Sequence, residues 1–143
     1  MALLEKLLEV RESTISGAGM GLFTKEYIPK GTRVVEYKGK VTTWKEADHK
    51  SGLNPYLFFV KHSHVIDTLH RKKSLARYAN DAKGLKKIKG ITNNCKFVIE
   101  GVCVFLETEK NIPAGSEILV GYGKDYWDTT RKNHKLAEQQ LKL

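Results

Sequence analysis

The chain has 143 residues, 41% apolar and 29% charged, with 25 lysines and arginines against 16 acidic residues and a formal net charge of +9. That length suits one domain with a modest core, two cysteines exclude a disulfide scaffold, and no apolar run approaches the roughly 20 residues of a membrane span. The basic balance favours anionic partners such as nucleic acid, an acidic protein or an anionic cofactor, and serves solubility equally well.

Leu3, Leu4, Leu7 and Leu8 suit one face of a short helix, but Leu8-Glu9-Val10-Arg11 alternates and favours a strand by about Val10. Glu5, Lys6 and Glu9 among the leucines argue against a signal peptide, so a soluble, unexported, intracellular protein is expected. Ser16 to Gly21 reads as a turn, and Leu22-Phe23-Thr24 as a short strand. After the Pro29-Lys30-Gly31 turn, Thr32 to Tyr37 is β-rich up to Gly39, and Lys40 to Thr43 continues it. Thr43-Trp44-Lys45-Glu46 fits a capping box opening a short helix that ends by Gly52. Tyr56 to Val60 and His64 to Asp67 form a hairpin across Lys61-His62-Ser63.

One or two helical turns are expected between Lys73 and Ala79, followed by an exposed loop carrying Lys83, Lys86, Lys87 and Lys89. Cys95 to Ile99 and Val102 to Thr108 make a second hairpin across Glu100-Gly101, and Glu117 to Val120 is the last strand. Asp128 caps a terminal helix over about 129–141. Many short strands with little helix predict a mainly β domain spanning 1–143. Both cysteines read as reduced thiols packed in strands, which fits an intracellular compartment.

Taken singly, the candidate chemical groups have ordinary structural readings. Gly19-Met20-Gly21 is neither a dinucleotide fingerprint nor a P-loop, because the third glycine and the Lys-Ser/Thr pair are missing. Asn80 suits an Asx turn as well as a polar ligand, and the aromatics near strand ends suit a packed core as well as a cation-binding wall. His62-Ser63-His64 lacks a third ligand, so no metal is expected.

Their order along the chain is more specific. Gly19-Met20-Gly21, Glu36-Tyr37-Lys38-Gly39, Tyr56-Leu57-Phe58, Ile66-Asp67-Thr68, Leu75 to Asn80, Asn94-Cys95, Glu117 to Tyr122 and Tyr126-Trp127 occur in that sequence. Read together they resemble the motifs of the SET domain, the catalytic module of protein-lysine methyltransferases, over about residues 8–127. Two positions depart from the family pattern. Asp81 stands where R-F-x-N-H-S has histidine, and Gly121 where E-E-L-x-x-D-Y has aspartate. The zinc-binding cysteine clusters that flank some members are absent from this sequence.

The resemblance implies several short sheets around a threaded C-terminal segment, a topology that periodicity does not suggest. It implies S-adenosylmethionine as cofactor, held by Gly19, Met20, Gly21, Arg77, Asn80, Asp81 and Trp127, with Arg77 alternatively a structural ion-pair partner. It makes Tyr122 the catalytic residue and places Tyr56, Val120 and Tyr126 on the channel for the substrate lysine. Val120, two residues before Tyr122, implies room for di- or trimethylation. The expected partner is a protein presenting a lysine, such as a histone or another basic nucleic-acid-associated protein. The lysine-rich loop offers a nucleic-acid contact that would weaken steeply with salt. The competing expectation is a SET-like module that binds peptide or nucleic acid without turnover.

Overall fold

The computed structural model describes residues 3–47, 57–69, 71, 74–82 and 90–122. Among these, nine strands run in chain order: β1 (Leu8–Glu12), β2 (Met20–Thr24), β3 (Arg33–Glu36), β4 (Lys40–Thr42), β5 (Leu57–Lys61), β6 (His64–Asp67), β7 (Cys95–Glu100), β8 (Cys103–Thr108) and β9 (Glu117–Ile118). They build three small antiparallel sheets, ordered β1-β2-β9, β3-β8-β7 and β4-β6-β5. Among the described residues the only helical pieces are short 3-10 turns at Glu5–Leu7 and Leu75–Tyr78. The expected terminal helix, and all of 123–143, lies outside the described residues.

The two hairpins form where alternation and turn chemistry place them. β5 and β6 pair from Leu57↔Asp67 to Lys61↔His64 with a bulge between Phe59 and Lys61, leaving His62-Ser63 as the turn. β7 and β8 pair over six residues, and their turn falls at Gly101-Val102, one residue later than expected. Gly101 sits at φ +63°, in the left-handed region that tight hairpin turns require. Strand period also corrects the cysteine expectation. Along β8, Val104, Leu106 and Thr108 face inward, so Cys103 shares the opposite face and is exposed, whereas Cys95 is buried. Burial, and secondarily the negative charge of Glu109, pushes the Cys95 thiol up to about 12.

The expected continuation of β3 into β4 does not occur, because the chain changes sheets at Gly39. β3 pairs with β8, while β4 pairs with β6. A Cβ on Gly39 would lie 2.5 Å from the Asp67 carbonyl oxygen, so only glycine lets the chain cross β6 this closely. The capping-box geometry is partly present. The Glu46 amide donates to Thr43 Oγ1 at 3.3 Å and the Ala47 amide to the Thr43 carbonyl at 2.9 Å, making one turn. The rest of that expected helix lies outside the described residues.

Leu22, Ile28, Val34, Leu106, Ile112, Ile118 and Val120 are fully buried, and with Ile66 of β6 they join the sheets into one core. Through it passes the segment after β9. Ile118 pairs with Leu22 of β2, and Leu119 and Val120 then form parallel bridges to Asn80 and Cys95. The Val120 amide donates to the Asn80 carbonyl, and the Asn94 and Cys95 amides both donate to the Leu119 carbonyl, each at 2.9 Å. Residues 117–120 are thus held between β2, the 79–82 segment and the start of β7, which is the threaded arrangement that the sequence motifs imply.

Candidate functional site

Three sequence-distant pieces meet at the Glu117 carboxylate, which is buried. Its Oε1 accepts from the Thr14 amide at 2.9 Å and the Thr14 hydroxyl at 2.6 Å. Its Oε2 accepts from the Ser13 hydroxyl at 2.7 Å and, more distantly, from Asn80 Nδ2 at 3.4 Å. A buried carboxylate is tolerated when such donors replace water. Asn80 Nδ2 also donates to the Met20 carbonyl at 3.0 Å, which ties the glycine turn to the threaded segment.

The two glycines of that turn have different jobs. Gly19 sits at φ +76° with open space where a Cβ would stand, so its backbone is bare on that side. Gly21 instead makes room within the protein: a Cβ there would overlap Glu117 Oε2. Met20 between them is 48% exposed.

Tyr122 follows the threaded residues. Its hydroxyl donates to the Ala79 carbonyl and its amide to Asp81 Oδ2, the latter at 2.9 Å. The Tyr122 hydroxyl is thus bonded to the residue before Asn80, and the Asn80 side chain is in turn bonded to the Met20 carbonyl of the glycine turn. Tyr122 also lines a cavity of about 60 Å³. Among the described residues four rings line it, Tyr37, Phe58, Phe97 and Tyr122, with Leu57, Ala76, Ala79 and Arg77 completing the wall. Phe97 stacks on Tyr122 at 6.3 Å between centroids, and Phe58 meets Phe97 edge-on at 4.9 Å. Tyr37 packs against Phe58 and Phe97 at 5.6 and 6.0 Å, its hydroxyl 3.2 Å from Thr68 Oγ1.

The sequence-predicted residues therefore divide into groups. Gly19, Met20, Gly21, Asn80, Asp81 and Tyr122 are brought together. Arg77 lies against the cavity, but its Nη1 donates to the Thr68 and Leu69 carbonyls at 2.7 and 3.0 Å, bracing the turn after β6. Val120, placed on the lysine channel by the motif, is wholly buried in the core and is not part of the cavity wall. Tyr56, Tyr126, Trp127, Lys83, Lys86, Lys87 and Lys89 lie outside the described residues. Among the described residues no cluster of three metal-ligating side chains occurs, and His62 packs on Phe59 instead.

Sequence reasoning missed Tyr37, Phe58 and Phe97 as wall residues. Tyr37 and Phe58 lay inside quoted motifs, and Phe97 stands two residues beyond Cys95, on the same face of β7. That period of two was the signal available for Phe97.

The methyltransferase domain of human PR domain-containing protein 2 has a similar fold, with a TM-score of 0.61 at 20% identity over 82% of this chain and 77% of that one. The SET domain family model matches residues 19–123, a span that holds the glycine turn, the threaded segment and Tyr122. The chain therefore belongs to the SET domain family.

Proposed function

We propose that this protein transfers a methyl group from S-adenosylmethionine to the side-chain amine of a lysine in a protein substrate. One observation carries the reading: Tyr122 lines a ring-walled cavity and bonds through its hydroxyl to the Ala79 carbonyl, next in sequence to Asn80, which is bonded to the glycine turn.

The chain has features that suit the cofactor. The open space where a Gly19 Cβ would stand lets a ligand approach the backbone closely, and Asn80, whose Nδ2 is spent on Met20 and Glu117, brings its side-chain oxygen as an acceptor. The backbone of residues 19–21, Asn80 and the Asp81 main chain would hold it. When bound, S-adenosylmethionine supplies a methyl carbon made electrophilic by a sulfonium centre.

The protein's own residues prepare the nucleophile. A lysine amine has a pKa near ~10.4 in water and must shed a proton before it can attack. Tyr37, Phe58, Phe97 and Leu57 replace water around it with apolar surface, which disfavours the ammonium form. The Tyr122 hydroxyl gives its proton to the Ala79 carbonyl, so toward an amine its oxygen acts as an acceptor. That contact fixes the direction of the nitrogen lone pair, and alignment of reacting atoms is the main source of rate here.

Charge does not oppose a basic substrate at the described surface. Described residues carry 13 lysines and arginines against 12 aspartates and glutamates, so the basic excess of the chain belongs to sequence outside them. Histones and other basic nucleic-acid-associated proteins are accordingly the first acceptors to try.

The test is incubation with labelled S-adenosylmethionine and a panel of basic proteins, together with calorimetry of cofactor binding. Transfer to a lysine is expected, and Tyr122→Phe should abolish turnover while sparing cofactor affinity. Cofactor binding with no labelled acceptor, or no binding at all, would favour a module that holds peptide or nucleic acid without turnover.

A further inference from the structure

The two departures from the family pattern, at 81 and 121, meet at one side chain. Asn93 Nδ2 donates to Asp81 Oδ1 at 2.9 Å, and the same nitrogen lies 3.5 Å from where a Cβ on Gly121 would stand. The other Asp81 oxygen accepts the Tyr122 amide at 2.9 Å, and Asn93 Oδ1 accepts the Ala82 amide at 2.8 Å. Asp81 is only 8% exposed. A buried carboxylate with two convergent N–H donors has both oxygens engaged, and an isolated amide in its place would present a donor to a donor.

We infer that Asp81 and Asn93 form a clamp that positions Tyr122, so that Asp81 acts through its side chain on the reacting tyrosine and not only through its backbone on the cofactor. The inference rests on the methyl-transfer reading above. Two anchors hold Tyr122, the amide on Asp81 and the hydroxyl on Ala79, and both belong to one short segment. The tyrosine is therefore fixed at both ends against residues 79–81. Gly121 just before it has no side chain to restrict the backbone, so the Asp81 bond is what sets the entry of Tyr122 into the cavity wall. Asp81 and Asn93 are positioning residues, since neither lines the cavity.

The clamp makes an unusual demand on substitution. In Asp81→Asn the new amide must face either the Tyr122 N–H or Asn93 Nδ2 with a donor, and one bond is lost. In Asn93→Asp two carboxylates face each other. Exchanging the two residue types keeps these three bonds. The amide now at position 81 donates to the carboxylate now at position 93, which still accepts the Ala82 amide. The amide oxygen at position 81 then accepts the Tyr122 N–H.

The experiment uses the full chain as wild type, Asp81→Asn, Asn93→Asp and the double exchange. It measures kcat, the KM for S-adenosylmethionine, calorimetric cofactor affinity and melting temperature, with the most strongly labelled protein of the panel as acceptor. Each single variant should lower kcat by about tenfold with cofactor KM changed by less than about threefold, and the exchange should recover most of kcat. An exchange no better than the poorer single variant overturns the clamp, as does an exchange that fails to fold. Loss of cofactor affinity with kcat retained in Asp81→Asn also overturns it. If the wild type neither binds cofactor nor labels an acceptor, the methyl-transfer reading fails. The clamp then stands or falls on melting, the exchange being expected within about 2 °C of wild type and both single variants below it.

Discussion

Replacing Gly21 with alanine tests how tightly the glycine turn and the threaded segment are joined. The added methyl would overlap Glu117 Oε2 and stand 3.1 Å from its Cδ and 3.2 Å from the Ser13 Cα. A carboxylate at the end of a free side chain would simply swing away. This one is held by Ser13, Thr14 and Asn80, so moving Oε2 forfeits the 2.7 Å Ser13 bond and the longer Asn80 contact. A hydrogen bond to a charged group contributes about 1.5–3 kcal/mol, and the Ser13 backbone must also retreat, so a loss of about 2–4 kcal/mol is expected. For a chain of this size that lowers the melting temperature by roughly 6–15 °C. Calorimetric or circular-dichroism melts of Gly21→Ala, Glu117→Ala and the pair measure it. With Glu117 truncated only the 3.2 Å approach to the Ser13 Cα remains, and Gly21→Ala should then cost clearly less, about 1 kcal/mol. A Gly21→Ala protein that melts like the wild type, or an equal penalty in both backgrounds, refutes the reasoning.

Gly121→Asp places a second carboxylate beside Asp81 and Asn93, and should lower turnover without creating a backbone clash, since a Cβ there has ordinary contact distance; steady-state kinetics read this. Phe97→Ala removes the ring stacked on Tyr122 and should raise the acceptor KM and lower kcat while calorimetric cofactor affinity is unchanged. In alkylation at pH 8, Cys103 should label in the native protein and Cys95 only after denaturation, because a thiol with a pKa of about 12 is thiolate to roughly one part in ten thousand there. The same group gives a sign to alkaline stability. The folded state keeps the Cys95 proton to about 12 while the unfolded state releases it near 9.0, so stability falls as pH rises through that window. Denaturant melts of Cys95→Ala should show a flatter decline there.

Local rules carried the hairpins, because alternation and a turn glycine decide β5–β6 and β7–β8 within a few residues of chain. They did not carry the break at Gly39, where the reason is a backbone contact with Asp67, 28 positions away. Nor did they carry the threaded segment, whose bridges join Leu119 to Asn80 and Val120 to Cys95. Ordered motifs implied that topology where periodicity was silent. The site was legible in the same uneven way. Asn80 and Tyr122 announced themselves as polar groups in small or apolar surroundings, whereas Tyr37, Phe58 and Phe97 looked like any rings in strands. Only their convergence on the cavity that Tyr122 also lines distinguishes them. Glu117 was quoted as part of a motif, but its union of Ser13, Thr14 and Asn80 depends on contacts across more than 30 residues.

The crossing at residues 117–120 also constrains how the molecule is made. Its neighbours are drawn from near residues 22, 80 and 95, so no early portion of the chain can finish its own interior. Loop closure over such separations is slow compared with making a hairpin. During synthesis the β5–β6 and β7–β8 ribbons can form as they emerge, but the hollow between them stays open until the late strand slides in. Closure of the cavity beside Tyr122 and cooperative folding should consequently arrive together, in a single kinetic phase.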